Sequence, residues 1–237
     1  MNQLIEFASK KEGRGTISIK LRELLSLLPK DQLQKDIVTQ FPPVDIGSIT
    51  LVDQIVLLSF INLLNPKNIL EIGTFQGYTS ALFLKNTIHA MVHTIDLPKS
   101  NTNSVTHLNK KAILLDGDYN DDFLRQIQNI SGETYLQNLE KSKCDRLRLI
   151  KANSMQFDYS VFDKSIDFAF IDGGHNLKNI ESDTRNVLSC MNEKGIIVWH
   201  DFTSNLHSDV TTFLNSYSLK NKVFFVKGSL CAFQIIY

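Results

Sequence analysis

Short apolar runs alternate with segments of helical spacing through most of this chain. The apolar runs have the length of strands and little polar alternation, which is typical of strands buried on both faces of a parallel sheet. Segments with apolar residues three and four positions apart lie between them and predict helices. Strands are predicted at 69–72, 91–95, 147–151, 166–171 and 195–200, and helices at 78–84, 155–162 and 177–191.

The residues before this alternation predict further helices. Residues 49–64 are too apolar for a solvent-exposed helix, so we expect a helix that packs directly on the sheet, with Ser48 as its N-cap. Apolar positions at helical spacing predict another helix over 17–28 and a short one over 32–39. These two helices are expected to form a cap.

The end of the chain departs from the alternation. Two apolar runs, 223–226 and 231–237, are joined by Lys-Gly-Ser-Leu and predict an antiparallel hairpin. With the five earlier strands, the hairpin predicts an α/β, Rossmann-like sheet of seven strands, mostly parallel, with an antiparallel C-terminal hairpin and helices on both faces. We expect an N-terminal helical cap over 1–45 and a main domain over 46–237.

Residues 97–146 are longer than an ordinary connection between strands, so we predict an insertion there, with helices at 123–130 and 135–140. Long loops at the carboxyl edge of a sheet often form lids or partner surfaces. The alternative is a solvated elaboration without a role. The acidic residues of this insertion do not follow the EF-hand spacing, which argues against a calcium site. They are Asp116, Asp118, Asp121 and Asp122.

The composition fits a folded domain without an excess of charge. The chain has 237 residues, of which 43% are hydrophobic, and this is enough for a full core. Its 25 basic and 25 acidic side chains leave no net charge that would attract nucleic acid or an anionic membrane. Three widely spaced cysteines favour a reducing compartment, and no stretch resembles a signal peptide or a membrane span. We therefore expect a soluble, cytoplasmic protein.

Two features predict a nucleoside-like ligand. Gly73 ends a predicted strand and Gly77 precedes a predicted helix, so the turn between them leaves room for a ligand at the start of that helix. Phe75 stands where a dinucleotide fingerprint has its second glycine, which favours a ligand without a diphosphate. Asp96, at the end of the next strand, is placed to accept hydrogen bonds from ribose hydroxyls.

A third group of polar residues follows two later strands. Asp172 and His175 come after one strand, and His200 and Asp201 come at the end of its expected neighbour. Because the carboxyl ends of parallel strands meet at one edge of a sheet, we expect these four side chains to converge beside the ligand. Such a group can bind one divalent ion or supply a general base.

At these positions the chain resembles class I S-adenosylmethionine-dependent methyltransferases. The resemblance is carried by Ile-Leu-Glu-Ile-Gly-Thr-Phe-Gln-Gly-Tyr-Thr-Ser over 69–80, by Asp96, and by the segments 170–175 and 195–201. Within that class the chain is similar to small-molecule O-methyltransferases, which include the catechol and caffeoyl-coenzyme A enzymes and a bacterial branch with Asp-Gly-x-His followed by His-Asp. The similarity covers about 46–237, where the closing hairpin matches the family's reversed seventh strand, and implies a methyltransferase domain.

The resemblance implies S-adenosylmethionine as the cofactor. Asp96 would hold the ribose, Asn153 and Ser154 would flank the adenine, and Asp172 would lie near the sulfonium. Further cofactor residues would shape the methionine pocket at the glycine turn and at the start of the following helix. These are Glu71, Gly73, Thr74, Phe75, Gly77, Tyr78 and Thr79.

The resemblance also implies a catalytic base and, as in the metal-dependent members, a Mg²⁺ ion. His175 aligns with the catalytic lysine of the catechol enzymes and is the candidate base, with Asp172 beside it. Asp172 and Asp201 match two metal carboxylates. Phe202 stands where the catechol enzymes have a metal-binding asparagine, so the candidate third ligand is His200, in place of the first carboxylate of the acidic pair in sugar O-methyltransferases.

The expected function is methyl transfer to a hydroxyl oxygen of a small-molecule acceptor, in a homodimer as is common among related enzymes. Two alternatives stay open at this point. A regulatory or interaction module that binds the cofactor without catalysis would share the fold. A nicotinamide-dependent oxidoreductase would share it as well, but the chain lacks the diphosphate fingerprint.

Overall fold

In the described part of the chain, eight strands form one mixed sheet. The computed structural model describes residues 1–33, 35–41, 47–99 and 117–237, with side chains in the last range described from residue 120. The sheet order is β1-β7-β8-β6-β5-β2-β3-β4. The strands are β1 (Ile17–Lys20), β2 (Asn68–Ile72), β3 (Met91–Asp96), β4 (Leu147–Lys151), β5 (Ile166–Ile171), β6 (Met191–Trp199), β7 (Phe224–Lys227) and β8 (Ala232–Ile236).

Helices cover both faces of this sheet. Alternate residues of β5 divide between two apolar cores: Phe168 and Phe170 pack in one with α4 and α5, and Ala169 and Ile171 pack in the other with α8 and α9. This alternation is the period of a strand buried on both faces. The described helices are α1 (Asn2–Ser9), α2 (Leu21–Leu25), α3 (Lys30–Leu33), α4 (Leu51–Leu64), α5 (Tyr78–Asn86), α6 (Gly117–Ser131), α7 (Lys141–Cys144), α8 (Leu177–Cys190) and α9 (Ser208–Tyr217).

The predicted fold class is confirmed. The five predicted parallel strands correspond to β2 through β6, and neighbours among them pair in parallel. The predicted hairpin is formed by β7 and β8, and β8 lies antiparallel to both β6 and β7. The sheet has eight strands rather than the seven predicted.

The additional strand, β1, comes from a segment predicted to be helical. The helix predicted over 17–28 is wrong for residues 17–20, and α2 begins directly after them. Ile19 is buried between two exposed neighbours, which is the alternation of a strand and not of a helix. β1 pairs in parallel with β7, with Ile17 opposite Phe224, so the N-terminal segment extends the sheet at its edge.

Local contacts explain the start of α4. The N-cap is Thr50 and not Ser48 as predicted. Thr50 Oγ1 accepts a hydrogen bond from the Asp53 backbone N at 3.2 Å, and Asp53 Oδ2 accepts one from the Thr50 backbone N at 2.8 Å. This reciprocal capping box satisfies two donors at the helix start.

Other predicted helices are shorter than expected. The helix predicted over 155–162 is limited to a 3₁₀ turn at Tyr159–Phe162, and Asp158 caps this turn by accepting a hydrogen bond from the Ser160 backbone N. α3 ends at Leu33, and residues 35–39 are not helical, while residue 34 lies outside the described residues.

The predicted insertion contributes α6 and α7. α6 begins earlier than the predicted residue 123, and the helix predicted over 135–140 is a 3₁₀ turn at Thr134–Leu136. Asp116 and the side chain of Asp118 lie outside the described residues.

α9, after β6, has no counterpart among the predicted helices. Within the described residues, no helix combines the length and the apolar character needed to cross a membrane.

Candidate active site

The turn after β2 lies between the ends of β3 and β5. Gly73 donates a backbone hydrogen bond to the Ile95 carbonyl at 2.9 Å and has φ +94°. A Cβ on Gly73 would overlap the backbone carbonyl of Asp172, so this position requires glycine on two grounds. Phe75 has φ +48°, a left-handed conformation that side-chain-bearing residues seldom adopt. Left-handed residues of this kind concentrate at functional sites.

Glu71 lies under this turn and is fully buried. Its Oε2 accepts hydrogen bonds from the hydroxyls of Thr94, at 2.6 Å, and Ser80. Its Oε1 has no hydrogen-bond partner among the described residues. Burial raises the pKa of Glu71 to about 8, more than the two hydroxyls lower it. The hydroxyls of Thr74 and Thr94 lie 2.6 Å apart beside it.

Tyr78 and Thr79 begin α5 and are buried. The Tyr78 hydroxyl donates to the Gln40 carbonyl and accepts from Gln54 Nε2, both at 2.7 Å. Burial raises the pKa of Tyr78 to about 12. The Tyr78 hydroxyl therefore has hydrogen-bond partners inside the protein, and these bonds connect Gln40 to the start of α5.

Asp96 ends β3 directly beside the glycine turn. Its Oδ2 accepts hydrogen bonds from the Phe75 backbone N, at 2.8 Å, and from the Gln128 amide, and its Oδ1 accepts one from the Leu97 backbone N at 2.8 Å. Burial raises the pKa of Asp96, and the charge of Lys151 and these hydrogen bonds offset only part of that effect. The carboxylate of Asp96 therefore has protein donors at both oxygens.

Asn153 and Ser154 follow β4 and lie near the end of β3. The backbone N of Ala152 donates to the Asp96 carbonyl at 2.8 Å, which holds the two strand ends together. Asn153 Oδ1 accepts a hydrogen bond from the Met155 backbone N at 3.0 Å and so shapes the turn. The glycine turn, Asp96 and the turn after β4 thus share one edge of the sheet, as predicted.

The four polar residues expected at the ends of β5 and β6 do converge. His200 Nδ1 lies 3.2 Å from Asp172 Oδ1 and 3.4 Å from Asp201 Oδ2. His175 Nε2 lies 3.0 Å from Asp201 Oδ2 and 3.7 Å from Asp172 Oδ1. Both imidazoles therefore contact the same pair of carboxylates.

The charges in this cluster stabilise one another. Burial by itself raises the pKa of the two carboxyls, but the charge of His200 and contacts with both imidazoles outweigh it, so the pKa of Asp172 falls to about 2 and that of Asp201 falls well below its usual range. Burial by itself lowers the pKa of the two histidines, yet the neighbouring carboxylates raise the pKa of His175 and of His200 well above the usual value. In the absence of an ion, the two carboxylates thus favour a proton on each imidazole.

The ligand atoms of Asp172, His175 and Asp201 lie close enough to share one metal ion. His175 Nε2, though 3.0 Å from Asp201, has no aligned hydrogen-bond partner among the described residues. The carboxylate oxygens of this donor set suit Mg²⁺ or Mn²⁺. Its imidazole nitrogen suits later transition metals.

Asp121, His175 and His207 form a second close group, but its geometry does not suit a shared ion. The rings of His175 and His207 are stacked, with centroids 3.8 Å apart and planes at 23°. An imidazole nitrogen binds a metal in the plane of its ring, and one nearby ion cannot lie in two stacked, nearly parallel planes. Burial and the neighbouring His175 lower the pKa of His207.

A comparison with known protein families adds a decisive observation. Residues 70–202, more than half of the chain, match a family described as "Methyltransferase domain". The matched segment runs from β2 to the residue after Asp201 and so contains the glycine turn, Asp96 and the carboxylate–imidazole cluster. The chain belongs to this methyltransferase family. The family expected from the sequence is confirmed.

Solved structures similar to this methyltransferase support the fold. A Staphylococcus aureus protein assigned as a caffeoyl-CoA O-methyltransferase superposes with a TM-score of 0.52 at 19% sequence identity, over 100% of this chain and 99% of that one. The cofactor-bound protein Rv0187 from MTB superposes with a TM-score of 0.54 at 11% identity, over 91% of this chain and 88% of that one. No curated protein matches the chain in sequence.

Two carboxylates around the methyltransferase site were not expected from the sequence. Asp53 on α4 is fully buried, with Oδ2 3.4 Å from His200 Nε2 and Oδ1 accepting from the Leu230 backbone N at 2.8 Å. The sequence did contain a signal for Asp53, because it places a carboxylate inside the very apolar segment 49–64. Asp121 on α6 contacts His175, and no spacing pattern in the insertion distinguishes it from its acidic neighbours.

Proposed function

We propose that this methyltransferase moves a methyl group from S-adenosylmethionine to a hydroxyl oxygen of a small-molecule acceptor. The observation that carries the proposal is the shared sheet edge, where a glycine turn and Asp96 lie beside the cluster of Asp172, His175 and Asp201. A nucleoside subsite next to a base and two carboxylates matches what methyl transfer to a hydroxyl requires.

The proposed cofactor site uses the turn and the strand ends. Asp96 ends β3 beside the glycine turn, so its carboxylate is placed to accept hydrogen bonds from ribose hydroxyls, one of which would replace the Gln128 amide at Oδ2. Asn153 and Ser154 would flank the adenine, and Asp172 would lie near the sulfonium. Glu71, Gly73, Thr74, Phe75, Gly77, Tyr78 and Thr79 would form or support the methionine subsite.

A divalent ion, such as Mg²⁺, would be held by Asp172 and Asp201, with His200 as the proposed third ligand. His175, which lies close enough to share the ion, would stay uncoordinated so that its Nε2 can act as the base. His200 Nδ1 faces both carboxylates, and an ion between them would displace the proton that these carboxylates now favour on the imidazole. His200 Nε2 would stay oriented by Asp53. When bound, such an ion lowers the pKa of a coordinated acceptor hydroxyl.

His175 is the proposed base. The methyl carbon of S-adenosylmethionine is bonded to a positively charged sulfur, which is a good leaving group. The protein therefore has to align the acceptor oxygen with the methyl group and remove the hydroxyl proton. Because Asp172 and Asp201 would hold an ion, they would favour a proton on His175 less, so its Nε2 would be able to take the hydroxyl proton. The oxygen–methyl bond would form as the sulfur–methyl bond breaks, and the imidazolium would then release its proton to solvent. Asp172 and Asp201 would stabilise the imidazolium.

Transfer of a radiolabelled methyl group tests this function. We expect label from S-adenosylmethionine to appear in at least one of catechol, caffeic acid and a simple sugar, each offering neighbouring hydroxyls. Exhaustive dialysis against EDTA is expected to abolish transfer, and Mg²⁺ to restore it. Transfer that survives chelation would contradict the metal assignment. Binding of S-adenosylmethionine without label in any hydroxyl compound would favour a regulatory module.

A further inference from the structure

The inserted helix α6 contacts the site at two points and the neighbouring Gly47 at a third. Gln128 Nε2 donates to the Phe75 carbonyl at 3.1 Å and to the Asp96 carboxylate. Leu124 packs so closely on Gly47 that a Cβ there would meet it at 2.5 Å. Asp121, one helical turn before Leu124, reaches His175. α6 therefore docks across both the proposed ribose subsite and the proposed base.

The contact between Asp121 and His175 has two hydrogen bonds. Asp121 Oδ1 lies 2.7 Å from His175 Nδ1, and Asp121 Oδ2 accepts from the His175 backbone N at 3.1 Å. A carboxylate only accepts hydrogen bonds, so His175 Nδ1 carries the proton in this contact. The same carboxylate thus holds the backbone position and the ring orientation of His175 and keeps a proton on Nδ1.

The opposite nitrogen of His175, Nε2, faces Asp172 and Asp201. It lies 3.0 Å from Asp201 Oδ2 and 3.7 Å from Asp172 Oδ1, and it has no aligned hydrogen-bond partner among the described residues. His207 stacks on one face of the ring and prevents it from tilting. A ring held at Nδ1 and on its face presents Nε2 in one direction, which a base requires.

We propose that Asp121 is a positioning residue that α6 supplies to His175, so that docking of the insertion completes the catalytic base. This inference rests on the proposed function, because it assigns Asp121 a role through His175. It gives the insertion a part in the reaction, in place of a solvated elaboration. An orienting carboxylate of this kind changes the rate at saturating substrate far more than cofactor affinity.

The test compares Asp121→Asn with Asp122→Asn. Asp122 is the next residue of α6 and is exposed, so its substitution makes the same change of charge away from His175. Asparagine keeps the shape of Asp121 but offers only one accepting oxygen for the two donors of His175. The readouts are the low-field Nδ1 proton signal of His175 in nitrogen-15-histidine NMR, assigned with His175→Gln, and turnover with catechol as the probe acceptor.

We expect the Nδ1 proton signal in the wild type and in Asp122→Asn, and its loss or strong shift in Asp121→Asn. Turnover of catechol is expected to fall roughly 10- to 100-fold in Asp121→Asn with KM for S-adenosylmethionine nearly unchanged. An unchanged His175 signal in Asp121→Asn would overturn the inference. So would equal turnover in the two variants. If the signals behave as expected but the wild type methylates no acceptor, the proposed function fails and the positioning contact stands.

Discussion

Replacing His175 with alanine is expected to lower turnover of the acceptor roughly 10²- to 10⁴-fold, the usual contribution of a general base. His175 Nε2 lies 3.0 Å from Asp201 Oδ2, at the edge of the sheet where the acceptor hydroxyl is proposed to bind. The substitution leaves the glycine turn and Asp96 untouched, so the Kd for S-adenosylmethionine should change little. Stopped assays for turnover and calorimetry for the Kd measure the two effects separately.

His89→Ala is the matched control, because His89 is exposed and precedes β3 by two residues on the surface. It should leave both turnover and affinity at the wild-type level. Full activity of the His175→Ala variant would remove His175 as the base. Loss of S-adenosylmethionine affinity in that variant would instead place His175 in the cofactor site.

Gly73→Ala is expected to destabilise the fold by about 2–5 kcal/mol, because two costs add. A left-handed backbone costs a non-glycine residue about 1–2 kcal/mol, and overpacking costs about 1–3 kcal/mol. Gly73 has φ +94°, and its Cβ would overlap the Asp172 carbonyl, which is backbone and cannot rotate away. Urea unfolding followed by circular dichroism measures the loss.

Gly228→Ala separates these two costs. Gly228 has φ +88°, and a Cβ there would meet no atom within 4 Å. Its substitution should therefore show the backbone cost alone, about 1–2 kcal/mol. Equal destabilisation by the two substitutions would contradict the close approach of β2 and β5 at the glycine turn.

Much of the fold follows from local patterns. The apolar runs of β2, β5 and the hairpin are continuous and bounded by polar or turn residues, so their strands could be predicted from sequence. β1 could not, because its four residues run directly into the helical spacing of α2, and so short a segment does not distinguish a strand from the first turn of that helix. Its pairing with β7, more than 200 residues away, decides the outcome. Tertiary pairing of this kind overrides local propensity.

Part of the candidate site could also be predicted from the sequence, and part of it could not. Asp96, Asp172, His175 and Asp201 could be placed from sequence because each follows a predicted strand, and parallel strands share an edge. The contact of Asp121 with His175 joins residues 54 positions apart through tertiary packing of the insertion, so no local pattern predicts it. The cytoplasmic location, the homodimer and the lack of nucleic-acid binding stay predictions.

Calorimetry with S-adenosylhomocysteine tests the central claim most directly. The wild type and Asp122→Asn are expected to bind one equivalent, and Asp96→Asn to bind roughly ten- to a hundredfold more weakly, as expected for a lost hydrogen bond to a charged group. NAD should give no binding heat. Failure of the wild type to bind S-adenosylhomocysteine, or equal affinity of Asp96→Asn and Asp122→Asn, would contradict a cofactor pocket built on the glycine turn and Asp96.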